Sequence, residues 1–225
     1  MKGKLYIVAT PIGNLEDISF RAISTLKEVT FVLAEDTRQT LKLFNRYEIK
    51  THLVSYRDQN HDRIMPKVLE KLDMGLNLAL VSDSGTPNIS DPGFKLVRDL
   101  KEKGYEVIPI PGASAVISAL SASGLNTDKF TFLGFLPKGD GKRITTLEVF
   151  KDIPTTLVIY ESPKRLMSLL NEIEEVFGNR KIAIANDITK LYEKIETGNL
   201  LDLKEKYSED LKGEFVVLIE KSEKE

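Results

Sequence analysis

The sequence predicts an α/β protein in two parts: an N-terminal, mostly parallel sheet with helices on both faces over residues 1–115, and a C-terminal α/β part with a mixed sheet over residues 116–225. Two observations carry that prediction. Up to about residue 110, continuous apolar runs of four or five residues alternate with amphipathic helical stretches, the pattern of strands buried on both faces. Further on, short strand-like runs such as 182–185 and 192–197 follow each other with no helix between, which calls for antiparallel pairing. The change of texture places a boundary near residues 110–125.

Taken in order, LYIVA (5–9) reads as the first buried strand, followed by a helix over 19–29, and FVLA (31–34) as the second, followed by a helix over 37–47. HLVS (52–55) is a short strand before a helix over 61–74. Residues 77–81 form a strand, 92–103 a helix closed by Gly104, 106–110 a strand and 113–123 a helix. In the second part, strands are expected at 130–135, 155–160, 181–185, 192–197 and 214–220. Helices are expected at 142–150, 163–177 and 200–207, with a frayed end over 221–225.

Composition narrows the chemistry. With no cysteine there is no disulfide framework, thiolate zinc site or cysteine nucleophile. No apolar run approaches the roughly 20 residues of a bilayer span, and the N-terminus enters a strand without a secretory leader, so a cytoplasmic protein with no membrane partner is expected. A net charge of −2 argues against a constitutive nucleic-acid coat yet permits a local basic patch. His52 and His61 have neither metal-ligand nor triad spacing and are assigned no catalytic role.

Chemistry is expected on the loops at the carboxyl ends of the parallel strands, where open sheets bind ligands. The longest, SDSGTPNISDPG (82–93), holds two glycines and two prolines, more than a plain turn needs. Within it Asp91 reads as a helix N-cap and Pro92 as the first helical residue, whereas Gly85, Thr86 and Pro87 sit where a ligand would approach the backbone. The first strand ends in ATPIGNL (9–15), which is neither a GxGxxG fingerprint nor a Walker loop. The second ends in AEDTR (34–38), where Glu35, Asp36 and Arg38 suit acid–base work or polar-substrate recognition, and Thr37 or Asp36 equally suits a cap. Arg38, Lys42 and Arg46 continue as a basic stripe, a solvated helix face or a phosphate contact. PGASA (111–115) could receive a polar ligand edge on its free N–H groups. FLPKGDGKR (135–143) reads as a flexible basic loop, and ESPKR (161–165) repeats the strand–polar–helix pattern with Glu161 and Arg165.

In the order LYIVATPIGNLEDIS, AEDTR, VSDSGTPNISDPG, PGASAVISALSASGL, FTFLGFLPK, ESPKRL and GEFVVLIE, these segments resemble the tetrapyrrole methylase superfamily along nearly the whole chain. The TPIGN, AEDTR and SDxGTPxIxDPG motifs are similar to its branch of small-subunit (16S) ribosomal RNA cytidine-2′-O-methyltransferases. That resemblance implies S-adenosyl-L-methionine held in a cleft between two α/β domains of a homodimer. It implies cofactor contacts at Pro11, Thr86, Ile89, Ser114 and Ala115, with Gly85 beside them, and ribosomal RNA or the small ribosomal subunit as partner. Glu35, Asp36 and Glu161 are then the candidate acids, and Arg38 and Arg165 the candidate stabilisers of phosphate or oxyanion, with no metal. Lys164 stands where the family usually has His, and Asn186-Asp187 where it usually has Arg-Glu. Many relatives carry a helical C-terminal extension beyond GEFVVLIE. A tetrapyrrole or other small-molecule methyltransferase of the same fold, or a non-catalytic cofactor-binding ribosome factor, are the alternatives.

Overall fold

A computed structural model of the chain describes residues 2–207 and 211–222. It divides into two compact units, Met1–Ser114 and Ala115–Glu225, each with its own five-stranded sheet.

In the first unit strands β1 (Lys4–Val8), β2 (Phe31–Ala34), β3 (His52–Ser55), β4 (Leu78–Val81) and β5 (Glu106–Ile110) form an all-parallel sheet in the order β3-β2-β4-β1-β5. Alternation along the strands divides the side chains between the two faces. Leu5, Ile7, Phe31, Leu33, Leu78 and Leu80 pack with Met65, Val68 and Leu72 of α3 (His61–Asp73) and with Leu96 and Leu100 of α4 (Phe94–Glu102). Val8, Val32, Ala34, Ala79, Val81 and Ile110 pack with Ala22 and Leu26 of α1 (Phe20–Glu28) and Leu43 and Phe44 of α2 (Thr37–Arg46).

This arrangement fixes where a ligand crevice can open. From β1 the chain crosses over one face to β2; from β4 it crosses over the other face to β5. The two crossovers leave neighbouring strands in opposite directions, so the carboxyl ends of β1 and β4 flank a topological switch point.

In the second unit α5 (Ala115–Ala122) packs against β10 (Phe215–Ile219). The sheet runs β6-β7-β10-β8-β9, with β6 (Phe130–Phe135) parallel to β7 (Thr156–Glu161). The pairings of β10 with β7 and β8 (Lys181–Asn186), and of β8 with β9 (Lys194–Asn199), are antiparallel. Helices α6 (Asp140–Glu148), α7 (Pro163–Phe177) and α8 (Leu200–Lys204) cover the face of Leu157, Ile159, Ile182, Ile184, Phe215 and Val217.

Three expectations are corrected. The helix expected from Pro92 begins at Phe94, with Gly93 at the cap position and φ 132°. No side chain caps α4, so Asp91 does not have the capping role expected of it; Asp58, from the segment after β3, accepts the Gly93 N–H (3.2 Å). Second, the basic loop expected over 135–143 ends in helix, and Arg143 is buried rather than exposed. Its guanidinium binds both carboxylate oxygens of the buried Glu172 on α7 (2.5–3.0 Å) and the Ser168 hydroxyl (2.6 Å). The pair joins α6 to α7. Third, the fray expected over 221–225 does not include Ser222, which is buried; residues 223–225 lie outside the described part.

Candidate functional site

Three loops meet at the carboxyl edge of the first sheet. Thr10, just after β1, exchanges two backbone hydrogen bonds with Gly85, just after β4: Thr10 N–H to Gly85 O at 2.8 Å and Gly85 N–H to Thr10 O at 3.1 Å. The Thr10 hydroxyl also reaches the Ser82 carbonyl (3.3 Å). Gly85 holds φ 76°, a backbone conformation that favours glycine, and a Cβ there would touch Ile12 Cγ2 at 3.4 Å. The third loop joins through Thr86, whose hydroxyl lies 3.5 Å from the Ala113 carbonyl. Gly112 packs on Ala9, where an added Cβ would meet Ala9 Cβ at 3.0 Å. Pro11, Gly85, Thr86 and Ser114 are thus parts of one edge, with Ala115 opening α5 next in the chain.

Ile89 is presented rather than packed. It is 48% exposed, between Asn88 (φ 74°) and Ser90 (φ 64°), two non-glycine residues in the left-handed region. Such strain persists where surrounding structure holds it, and clusters at ligand sites. The Asn88 Oδ1 atom is buried without a hydrogen-bond partner.

Beside these loops, Glu35 and Asp36 follow β2, and Asp83 and Asp91 belong to the loop after β4. The Asp83 carboxylate accepts the Asp36 N–H (2.9 Å), and Glu35 Oε2 accepts the Asp83 N–H (3.4 Å). Glu35, Asp36 and Asp91 are shifted in different directions. Arg38 grips Asp36 through Nε (3.0 Å) and Nη2 (2.6 Å), and its N–H adds a third bond, holding that carboxyl far below the usual range. Burial pushes Glu35 up. Burial pushes the half-buried Asp91 up to about 6, against a Ser82 hydroxyl bond and with help from the charges of Glu35 and Asp83. Asp83 and Asp91 were not among the residues expected to act. Asp83 could have been read from its place at a strand end, but Asp91 owes its setting first to burial, which the local sequence does not show.

Glu161 and Arg165 lie in the second unit, at the end of β7 and in the first turn of α7. The Glu161 side chain is fully buried; Oε1 accepts the Ser162 N–H (2.7 Å). Arg165 Nη2 lies 2.9 Å from Glu161 Oε2 but directs its hydrogen bond to the Leu136 carbonyl (2.9 Å), so the contact is an ion pair without hydrogen-bond geometry. His61, assigned no role above, is buried between Tyr56 (3.0 Å) and Asp99 (2.9 Å), a satisfied core histidine. Among the described residues no cluster could hold a metal ion, and no helix is long and apolar enough to cross a membrane.

The chain is 48% identical over 220 residues to a protein of Halalkalibacterium halodurans named ribosomal RNA small subunit methyltransferase I, covering 97% of this chain and 76% of the relative. Proteins of the same name from Bacillus subtilis (46%, 99% and 77% covered) and Thermotoga maritima (46%, 88% and 89%) are similarly close. Among solved structures, a diphthine synthase superposes with a TM-score of 0.73 at 13% identity, covering 97% of this chain and 90% of that one. The uroporphyrin-III-C-methyltransferase of Thermus thermophilus superposes at 0.63 and 21% identity, covering 98% and 93%. At those identities the superpositions speak to the fold alone. The sequence profile of one family extends from Lys4 in β1 to Lys204 at the end of α8, through all the loops described above, and the chain belongs to that family, the Tetrapyrrole (Corrin/Porphyrin) Methylases.

Proposed function

We propose that the protein transfers a methyl group from S-adenosyl-L-methionine to the 2′-oxygen of a cytidine ribose in small-subunit ribosomal RNA, as a cytoplasmic homodimer. The observation that carries the reading is the stitched edge of Thr10, Gly85, Thr86 and Ala113, in a chain 48% identical over 220 residues to a relative named for ribosomal RNA methylation.

The residues at that edge fit the cofactor. Gly85 and Gly112 leave backbone open where a side chain would crowd, and Ile89 offers exposed apolar surface to a purine or methionyl chain. The neighbouring acids suit a ligand carrying sulfonium and ammonium charge. Pro11, Gly85, Thr86, Ile89, Ser114 and Ala115 would hold it. When bound, S-adenosyl-L-methionine supplies a methyl group on a sulfonium centre, with a neutral thioether as leaving group. The chain's contribution is alignment and proton removal. Glu35 is the better proton acceptor of the pair after β2, since Arg38 keeps Asp36 ionised and weakly basic. The Arg38 side chain, 86% exposed, retains an open edge for a phosphate or a developing oxyanion. Glu161, sealed by Ser162 and Arg165, sets the start of α7 and the Leu136 carbonyl, and acts on the substrate through them.

The test is methyl transfer from labelled cofactor to small ribosomal subunits lacking the modification, followed by mapping. Label on one cytidine ribose, in a linkage resistant to alkali, is expected. Label in protein or in a porphyrin, with the RNA unlabelled, would overturn the reading.

A further inference from the structure

The second unit carries a surface that the cofactor edge does not use. In β6 the register against β7 runs Phe130↔Thr156 and Phe132↔Val158, then shifts between Phe132 and Gly134, so that Phe135 pairs with Tyr160. Gly134, at φ 63°, forms the bulge. Without it, alternation would turn Phe135 to the opposite face; with it, Phe130, Phe132, Phe135 and Tyr160 all lie on the face away from the Leu157–Ile159 core. The Tyr160 ring contacts Phe132 (centroids 4.8 Å, 69°) and Phe135 (5.5 Å, 59°). Phe135 remains 58% exposed, an aromatic ring braced from behind and open in front.

A groove begins two residues later. It has a volume of about 600 Å³ and is lined by Pro137, Gly139, Gly141, Lys142, Thr145 and Thr146. Lys138, Lys142 and Lys164 are exposed, and none is ion-paired with a described residue. The one arginine of this segment, Arg143, is withdrawn into its pair with Glu172, which anchors the groove wall to α7.

We infer that this surface holds an unpaired stretch of the substrate RNA, with a base stacked on Phe135 and the following phosphates in the groove lined by Lys142. This rests on the RNA substrate proposed above. An exposed ring beside exposed cations suits a single strand, because every base has a stacking face and every nucleotide a phosphate. An uncharged protein surface would instead desolvate Lys142 without counter-charge.

The experiment uses the full chain and a fluorescein-labelled single-stranded RNA of about ten nucleotides, read by anisotropy. Phe135→Ala is expected to weaken binding roughly tenfold, with Phe135→Tyr retaining it. Lys138→Ala with Lys142→Ala is expected to weaken binding and flatten its salt dependence. Cofactor affinity by calorimetry should match wild type in each variant, which shows the fold intact. Unchanged RNA affinity in Phe135→Ala overturns the inference, as does loss of a dimer in sedimentation with RNA affinity per protomer unchanged, which would give the surface to a second copy. Methyl transfer to small subunits separates the two readings. Phe135-dependent RNA binding without ribosomal RNA methylation removes the proposed function and leaves this surface standing. Methylation whose KM ignores Phe135→Ala does the reverse.

Discussion

Asp91 is a carboxyl placed where ionisation is unfavourable, and its protonation should be visible in stability. Its ordinary value is 3.8 and the folded one about 6, so the folded state keeps the proton longer than the unfolded chain. Stability therefore falls as pH rises between about 4 and about 6. The Asp91→Asn variant lacks that slope, and its melting temperature relative to wild type should climb over that interval and level off above it. A pH series of thermal melts checks this; an unchanged difference would place the carboxyl in water. At Glu35 the readout is catalytic. Replacement by Gln should lower kcat about 100-fold, in the range of a lost general base, with cofactor affinity kept. The Asp36→Asn exchange should cost less, because Arg38 already holds that carboxylate in its charged state. Single-turnover rates on small subunits decide between the two.

Pairs of elements are held by different devices in the two units. Between α6 and α7 it is the buried Arg143–Glu172 pair. An Arg143→Met exchange leaves Glu172 charged and unpaired, at an expected cost of about 3–5 kcal/mol; adding Glu172→Leu should recover most of it. Denaturant unfolding of both variants measures this, and a double variant no better than the single one would contradict it. Between the loops after β1 and β4 the device is the Thr10–Gly85 bridge. In Gly85→Ala the left-handed backbone costs roughly 1–2 kcal/mol and the strain falls on the loop proposed to hold the cofactor, so weaker cofactor binding as well as lower stability is expected. Calorimetry on the variant tests both.

Across the whole chain, protection should follow the position of each strand in its sheet. β1 and β4 are flanked on both sides, and the five residues of β10 are all buried. Edge strands β3 and β9 show exposed residues at both ends. Native-state hydrogen exchange should therefore be slowest in β1, β4 and β10 and fastest in β3 and β9. Uniform protection would mean that each sheet opens only as a unit.

The sequence by itself determined the alternation of strands and helices, the two-part division of texture and the loops that carry the family's motifs. These are local properties: apolar periodicity is written within ten residues, and four strands, at 31–34, 52–55, 106–110 and 130–135, fall where the pattern placed them. Only the tertiary structure decided what each polar group does, because its partner comes from another segment. The Gly93 N–H at the start of α4 found Asp58, 35 positions away in the chain. Arg143 left the solvent for Glu172, 29 positions away, and the Asp83 N–H met Glu35 across 48. Even the side of the sheet that Phe135 faces was set by one bulge at Gly134, since a shift of a single residue reverses a strand's faces.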